Sequence, residues 1–401
     1  MSEQAFNYVI VGAGKAGASA VEGIRELDAN GTILLIGDEK HLPYERPPLS
    51  KQLWFGKAKV NDIFIHDQNF YNQHGITVNL DVKAVRIDRK ERAITAANGD
   101  TYRFEKLLLA TGAEPRKLPV PGGDIEGVCY FRTIEDYFQI QHQAAKAKSA
   151  LIIGGGFIGS ELAAALSISL EEVTLIFPSA YICSRVFPES LGQKLQGQYR
   201  ARGVRILNSE MPVSISKNSG EFHVETSAGK SVYTDIVIVG IGATPSIDLA
   251  KAAGLDTGDG IVVNEYLETS HPGIYAAGDN AFFPCLALGQ RMRNEHWDNA
   301  LSQGKLAGRN MAGAQEPYTY LPYIFSDIFE FGYEAVGQVS TRLEMFADWK
   351  KENETGVIYY LADGKVRGVM MCNVWDKLEA ARELIRKGER VKPEQLRGMI
   401  L

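Results

Sequence analysis

The residues that could do chemistry in this chain are, first of all, glycines. Gly12, Gly14 and Gly17 form a Gly-x-Gly-x-x-Gly string directly after the apolar run Tyr8-Val9-Ile10-Val11, and Gly154, Gly156 and Gly159 repeat it after Leu151-Ile152-Ile153. Glycines at those spacings permit a tight strand-to-helix turn and let backbone N–H groups approach a pyrophosphate, which then sits at the positive end of the following helix. One such string is a weak signal. Here each is followed by an alanine-rich stretch, Ala18-Ser19-Ala20 or Leu162 to Leu166, short-sided enough to pack a helix closely on a sheet. A second β-run then follows, Thr32 to Ile36 or Val173 to Phe177. The repeat predicts two separate βαβ units, each shaped for a dinucleotide.

The two units end differently. After the first, Gly37-Asp38-Glu39 offers a carboxylate where an adenosine ribose would place its hydroxyls, with Glu39 preferred over Asp38. The second ends at Phe177-Pro178-Ser179 without a carboxylate, which leaves the choice between NADH and NADPH open. Two further apolar strands end in small residues, Leu107 to Leu109 with Ala110-Thr111-Gly112, and Ile274-Tyr275-Ala276-Ala277 with Gly278-Asp279. Such turns bring backbone amides close to a ligand. Asp279 could accept from a ribityl hydroxyl or hold a pyrophosphate through water; it could equally cap a following helix.

The elements that must carry these turns fit the composition. With 401 residues, 45% hydrophobic and 23% charged, the chain can bury a large core divided over two or three domains. A net charge of −6 gives no basic surplus to attract a nucleic-acid backbone or anionic lipid. Cys129, Cys183, Cys285 and Cys372 are too widely spaced for a Cys-x-x-Cys redox pair or a zinc knuckle, so neither disulfide exchange nor a metal site is expected. Met1 to Gln4 run straight into the first apolar strand without a cationic, long-apolar leader, and the expectation is an unprocessed cytoplasmic protein. No apolar run is long enough to span a bilayer.

The segment His41-Leu42-Pro43-Tyr44-Glu45-Arg46-Pro47-Pro48-Leu49-Ser50-Lys51-Gln52-Leu53-Trp54 is the most specific in the chain. With the two glycine strings, Val239 to Pro245 and Gly260 to Ser270, it resembles the ferredoxin-reductase and apoptosis-inducing-factor branch of the flavoproteins with two dinucleotide-binding domains, almost end to end. Phe177-Pro178, Glu295-His296-Trp297-Asp298-Asn299-Ala300, Phe325-Ser326-Asp327 and Gly332 to Gly337 look like the versions found in apoptosis-inducing-factor-like members. Two departures stand out. Phe177 and Ser179 occupy positions where relatives carry acids, and Phe325 stands where many have tryptophan. The first bears on nicotinamide selectivity, the second on packing at the flavin edge.

The resemblance implies FAD and a nicotinamide nucleotide, NADH preferred, as cofactors. It implies that Lys51 places an ammonium near the flavin N5 edge, paired with Glu161, and that Phe157 stacks over the flavin ring and swings aside for nicotinamide. From local sequence alone Lys51 could be a surface lysine, Glu161 a helix N-terminal acid, and Phe157 a core aromatic. Arg46, Pro47 and Arg132 are implied around the flavin phosphate and ring; His296 and Trp297 either line the flavin or pack where the C-terminal domain docks. The same likeness extends the cofactor-lining set to Ala16, Val82, Ile158, Gly242, Glu295, Ala300 and Phe325.

The fold expected is α/β, with two Rossmann-like domains, the nucleotide domain inserted in the FAD domain, plus a C-terminal α+β domain. Residues 1–112 and 243–317 form the FAD domain, 113–242 the NAD(P) domain and 318–401 the C-terminal domain. Glu114 to Gly123, rich in proline and glycine, is the clearest linker. The C-terminal domain, with strands at Tyr333 to Val339, Gly356 to Leu361 and Val366 to Cys372 and a helix at Asp376 to Lys387, is implied to complete the flavin pocket and supply a homodimer surface. The function implied is an NAD(P)H oxidoreductase passing electrons to ferredoxin, rubredoxin, a quinone or oxygen. The alternative is a slow redox sensor whose dimerisation follows nicotinamide binding.

Overall fold

The computed structural model describes residues 3–401. They form two compact units, between which the chain passes repeatedly: residues up to Glu45, Val60–Glu114 and Pro245–Tyr323 in the first, and Arg46–Lys59, Pro115–Thr244 and Ile324–Leu401 in the second.

In the first unit, β1 (Glu3–Val11) runs parallel to β2 (Ile33–Ile36) on one side and to Thr101–Leu109 on the other. Ile76–Asn79 extends the sheet beyond β2, Ile274–Ala276 lies parallel to Leu107–Leu109, and Ala93–Ala96 with Ala84–Asp88 forms an antiparallel margin. The central segments Val9-Ile10-Val11, Ile33 to Ile36 and Leu107 to Leu109 are buried throughout, as a parallel sheet covered on both faces requires. Helix α1 (Lys15–Arg25) packs on the helix Trp297–Met311 at backbone distance. A Cβ added at Gly304 would lie 2.2 Å from Ala16 O, and one at Gly308 2.1 Å from Ala20 O. Small residues on both helices thus fix where their N-termini lie.

The second unit repeats the plan. β3 (Ser149–Ile153), α2 (Phe157–Leu166) and β4 (Glu172–Phe177) form its βαβ turn; the parallel sheet runs in the order Arg205–Asn208, β4, β3, Ile236–Val239, Val128–Tyr130. An antiparallel sheet of Pro212–Asn218, Glu221–Thr226 and Ser231–Thr234 packs beside it, with Val224 and Phe222 buried against Ile153 and Val237. The C-terminal sheet has the order Tyr323–Ile328, Phe331–Gly337, Lys365–Cys372, Thr355–Ala362, Glu344–Lys351, and the amphipathic helix Leu378–Lys387 packs on its second and third strands. The architecture is α/β with two Rossmann-like folds and an α+β end.

The two units are coarser than the three expected domains and part from them at residues 46–59, at 318–323, which fall in the first unit, and in the grouping of the remaining C-terminal residues. Residues 46–59, expected with the FAD domain, cluster with the second unit, because the Pro47–Ser50 turn packs on α2 and on the helix Ile134–Ala144. The C-terminal sheet, expected as a domain of its own, clusters there too. Arg202 pairs with Glu330 at 2.7 Å, Lys194 with Glu354 at 2.6 Å, and Tyr360 Oη donates to Val186 O at 2.5 Å. Its strands fall at Phe331–Gly337 rather than Tyr333 to Val339, and the strands Tyr323–Ile328 and Glu344–Lys351 are additions to the expected set. No helix among the described residues is long and apolar enough to cross a membrane.

Candidate functional site

The two glycine turns are geometrically the same device. Gly12 has φ +117° and a Cβ there would lie 2.0 Å from Ala110 O; Gly154 has φ +122° and its Cβ would lie 2.2 Å from Gly240 O. Only glycine adopts that conformation with a neighbouring strand so close. The third glycines seat the helices: a Cβ on Gly17 would lie 2.1 Å from Gly12 O, and one on Gly159 1.9 Å from Gly154 O. At the middle glycines, Gly14 and Gly156, an added Cβ meets nothing within 4 Å. These two are the N-caps of α1 and α2, have no side-chain cap, and no acid stands in either first turn. Each helix therefore presents its first N–H groups toward open space beside a glycine. A cradle that a Cβ would partly fill, at the positive end of a helix, fits a dinucleotide pyrophosphate in both units.

Around the first cradle, Glu39 is half-buried and its Oε2 accepts from Tyr44 Oη at 2.5 Å, whereas Asp38 is exposed. Val82 N–H donates to Gly37 O at 2.9 Å, which places Val82 beside this strand end. Ala110 N–H bonds Val11 O; Thr111 Oγ1 donates to Ser246 O at 2.6 Å and accepts from Asn280 Nδ2 at 2.9 Å; Gly112 turns with φ +69°. Gly278 N–H donates to Gln303 Oε1 at 2.9 Å, and its α-carbon faces Ala16 and Ala300. Asp279 is buried, and the strand Ala281–Cys285 follows it, so the helix-capping alternative is removed. Glu295 is engaged by Arg293, which also donates to Asp279 O. His296 is the N-cap of the helix Trp297–Met311. The indole Nε1 of Trp297 donates to Glu45 Oε2, and Lys15 Nζ reaches the other oxygen at 2.8 Å while lying 4.9 Å above the indole ring. Lys15 and Glu45 were absent from the expected set.

In the second unit, Lys51 and Glu161 are both buried and form an ion pair at 3.3 Å, so Lys51 is not a surface lysine, and Glu161 lies beyond the first turn of α2 rather than at its N-terminus. Ser50 Oγ donates to Glu161 Oε2 at 2.6 Å and Ser326 Oγ to Oε1. Lys51 Nζ lies 5.0 Å over the Phe325 ring. Phe157 is half-buried rather than a core aromatic, 6.1 Å from the Tyr333 ring, and Ile158 beside it is exposed. Arg46 Nη1 donates to Arg132 O at 2.7 Å, next to half-buried Pro47, while Arg132 N–H donates to Asp136. Gly242 has φ +104° and accepts from Arg116 N–H. Three titratable groups facing Glu161 are kept neutral by burial: the Cys183 thiol is pushed up to about 12, and the Tyr199 and Tyr333 phenols well above their ordinary range.

In the second unit, buried Phe177 closes β4; its ring would be 2.6 Å from a Cβ on Gly155. Ser179 Oγ donates to Tyr181 O at 3.0 Å. Glu210, whose N–H bonds Phe177 O, gives its carboxylate to Lys230 and Thr226. The missing acid of the sequence is not replaced by this neighbour.

Residues 6–304 match the pyridine nucleotide-disulphide oxidoreductase family. The chain belongs to it. Apoptosis-inducing factor 1, mitochondrial, of Dictyostelium discoideum is 33% identical over 422 residues, covering 95% of this chain and 78% of that protein. The ferredoxin–NAD(+) reductase component of the anthranilate 1,2-dioxygenase system of Burkholderia cepacia is 33% identical over 394 residues, 97% of this chain and 96% of that one. Among solved structures, the covalent putidaredoxin reductase–putidaredoxin complex gives a TM-score of 0.90 at 30% identity, covering 98% of this chain and 95% of that one. This member of the family is an FAD-dependent NAD(P)H oxidoreductase. Its four cysteines, Cys129, Cys183, Cys285 and Cys372, are buried, and none stands in a Cys-x-x-Cys pair.

Proposed function

We propose that this oxidoreductase takes hydride from NADH and delivers electrons to a small iron–sulfur protein of the ferredoxin or rubredoxin kind. The observation that carries the reading is the pair of matching cradles in one chain, in a sequence without a Cys-x-x-Cys pair. Bound FAD supplies the conversion between two-electron uptake from nicotinamide and electron release to the acceptor. Unit by unit, Gly12, Gly14, Gly17 and Glu39 hold its adenosine diphosphate half, with Gly278, Asp279 and the Trp297 helix start along the remainder. Gly154, Gly156 and Gly159 hold the nicotinamide nucleotide. Lys51, oriented by Glu161, presents its ammonium to the flavin, and half-buried Phe157 guards the nicotinamide position. Relatives named as ferredoxin– and rubredoxin–NAD(+) reductases, and the reductase joined to putidaredoxin, support the acceptor class.

Anaerobic stopped-flow reduction by NADH, then mixing with oxidised ferredoxin, rubredoxin or a quinone, tests this. Rapid bleaching followed by rapid reduction of an iron–sulfur protein is the expected result. Slow bleaching, a persistent long-wavelength band and dimerisation on NADH would instead establish the alternative of a slow redox sensor. We place the protein in the cytoplasm as a homodimer built through its C-terminal sheet; a single chain mass by light scattering at micromolar concentration would overturn the dimer.

A further inference from the structure

Glu161 is gripped by more than its ammonium partner. Its side chain is 6% exposed, and each carboxylate oxygen has a hydroxyl of its own: Ser50 Oγ on Oε2, Ser326 Oγ on Oε1. Both serines are buried, at 3% and 2% exposure, and they arrive from the Pro47–Ser50 turn and the strand Tyr323–Ile328, separated by 111 and 165 positions from Glu161. A serine hydroxyl has one hydrogen to give, and here both are spent on the same carboxylate. Hydroxyl-to-carboxylate bonds are short and charge-assisted, so they hold the carboxylate plane in one orientation. Lys51 Nζ, by contrast, stands at 3.3 Å from Oε1, longer than a tight ammonium–carboxylate contact.

We propose that Ser50 and Ser326 are positioning residues, which saturate Glu161 so that Lys51 remains the loosely tied member of the pair and directs its ammonium at the flavin. This rests on the reading above that Lys51 faces FAD. Without the two hydroxyls, the buried carboxylate would draw Lys51 into a tight contact as its remaining strong donor. The ammonium charge would then be largely cancelled where the flavin meets it. Cys183, Tyr199 and Tyr333, the other titratable groups facing Glu161, are held neutral and offer no substitute charge.

The test is the flavin midpoint potential of the holoenzyme, measured by dye-equilibrated reduction, together with its melting temperature. Lys51→Gln sets the scale, because it removes the ammonium altogether. The Ser50→Ala/Ser326→Ala double variant is expected to lower the potential most of the way to the Lys51→Gln value, each single alanine to give part of that shift, and Ser326→Thr, which keeps a hydroxyl, to restore the wild-type value. Should the double variant fold poorly, the two single variants carry the same comparison. A loss of melting temperature with an unmoved potential, while Lys51→Gln lowers it, would mean that the serines only pack, and would overturn the proposal. If Lys51→Gln itself leaves the potential unchanged, the placement of Lys51 at the flavin fails, and the proposal falls with it.

Discussion

Alanine at the middle glycine of each cradle separates binding from folding. Gly14 has φ −98° and ψ −164°, extended backbone that any residue adopts, and its Cβ would enter open space. Replacing it removes unfolded-state freedom, a gain of about 0.4–1 kcal/mol, and strains nothing in the fold. The methyl would stand where a phosphate oxygen meets the first amides of α1. Losing one charge-assisted hydrogen bond costs about 1.5–3 kcal/mol, so Gly14→Ala should weaken FAD roughly 10- to 150-fold. Gly12→Ala is the contrast. Its φ of +117° and the 2.0 Å approach to Ala110 O cost about 2–5 kcal/mol of strain and overpacking, and should lower melting temperature as well as cofactor binding. Gly156→Ala should do to the nicotinamide nucleotide what Gly14→Ala does to FAD, leaving flavin stoichiometry intact. FAD occupancy after dialysis, FAD titration of the stripped protein and nucleotide titration of the holoprotein read these effects separately. The reasoning is refuted if Gly14→Ala retains FAD within about twofold of wild type, a change below the loss of a single hydrogen bond, or if Gly156→Ala sheds flavin.

Three further outcomes follow from the same geometry. Glu45→Gln removes the charge that ties Lys15 at 2.8 Å, and the partly exposed pair is worth about 0.5–1 kcal/mol, so FAD release should quicken roughly 2- to 5-fold, with the difference fading at high salt; flavin fluorescence recovery measures it. Ser179→Asp restores a carboxylate after β4, and the ratio of NADH to NADPH affinity should rise about tenfold in direct nucleotide titrations, from diol hydrogen bonding and repulsion of the 2′-phosphate. For buried Cys183, burial raises the thiol from 9.0 to about 12, so the folded state binds its proton more tightly than the unfolded state. That stability is intact below about pH 9 and is lost at about 1.4 kcal/mol per pH unit as pH climbs toward 12; urea unfolding should show a shallower alkaline decline in Cys183→Ala.

What could be read from the sequence was whatever a local run of chain decides by itself. The cradles are of this kind: strand, glycine turn and small-residue helix lie within about twenty consecutive residues, and the physics that makes each glycine necessary acts through neighbours the motif already contains. Phe177 and Ser179 were legible for the same reason, as the end of a recognisable strand. Asp279 was not, because Gly278-Asp279 followed by Asn280-Ala281 can open a helix or a strand, and the choice is made by the pairing of Ile261 and Val262 with Ala281 and Phe282. The edge strand Glu344–Lys351 escaped because its residues are mostly exposed or half-buried, leaving little apolar alternation to recognise.

The placement of residues 46–59 shows the same limit acting on the site itself. Their sequence marks them as special without saying which fold they serve, since a proline-paired 3₁₀ turn carries no periodic apolar face. Leu49 and Leu53 are buried, the turn packs on α2 and the helix Ile134–Ala144, and the Trp54 ring meets Tyr137 edge-on at 5.2 Å. Because that turn is seated there, Ser50 and Lys51 meet Glu161 within one unit, while adjacent Glu45 belongs to the other and ties Lys15 to Trp297. Neighbours in sequence are thereby divided between two tasks: Glu45 closes side chains around one cradle, and Ser50 and Lys51 set the charge beside the helix that opens the other.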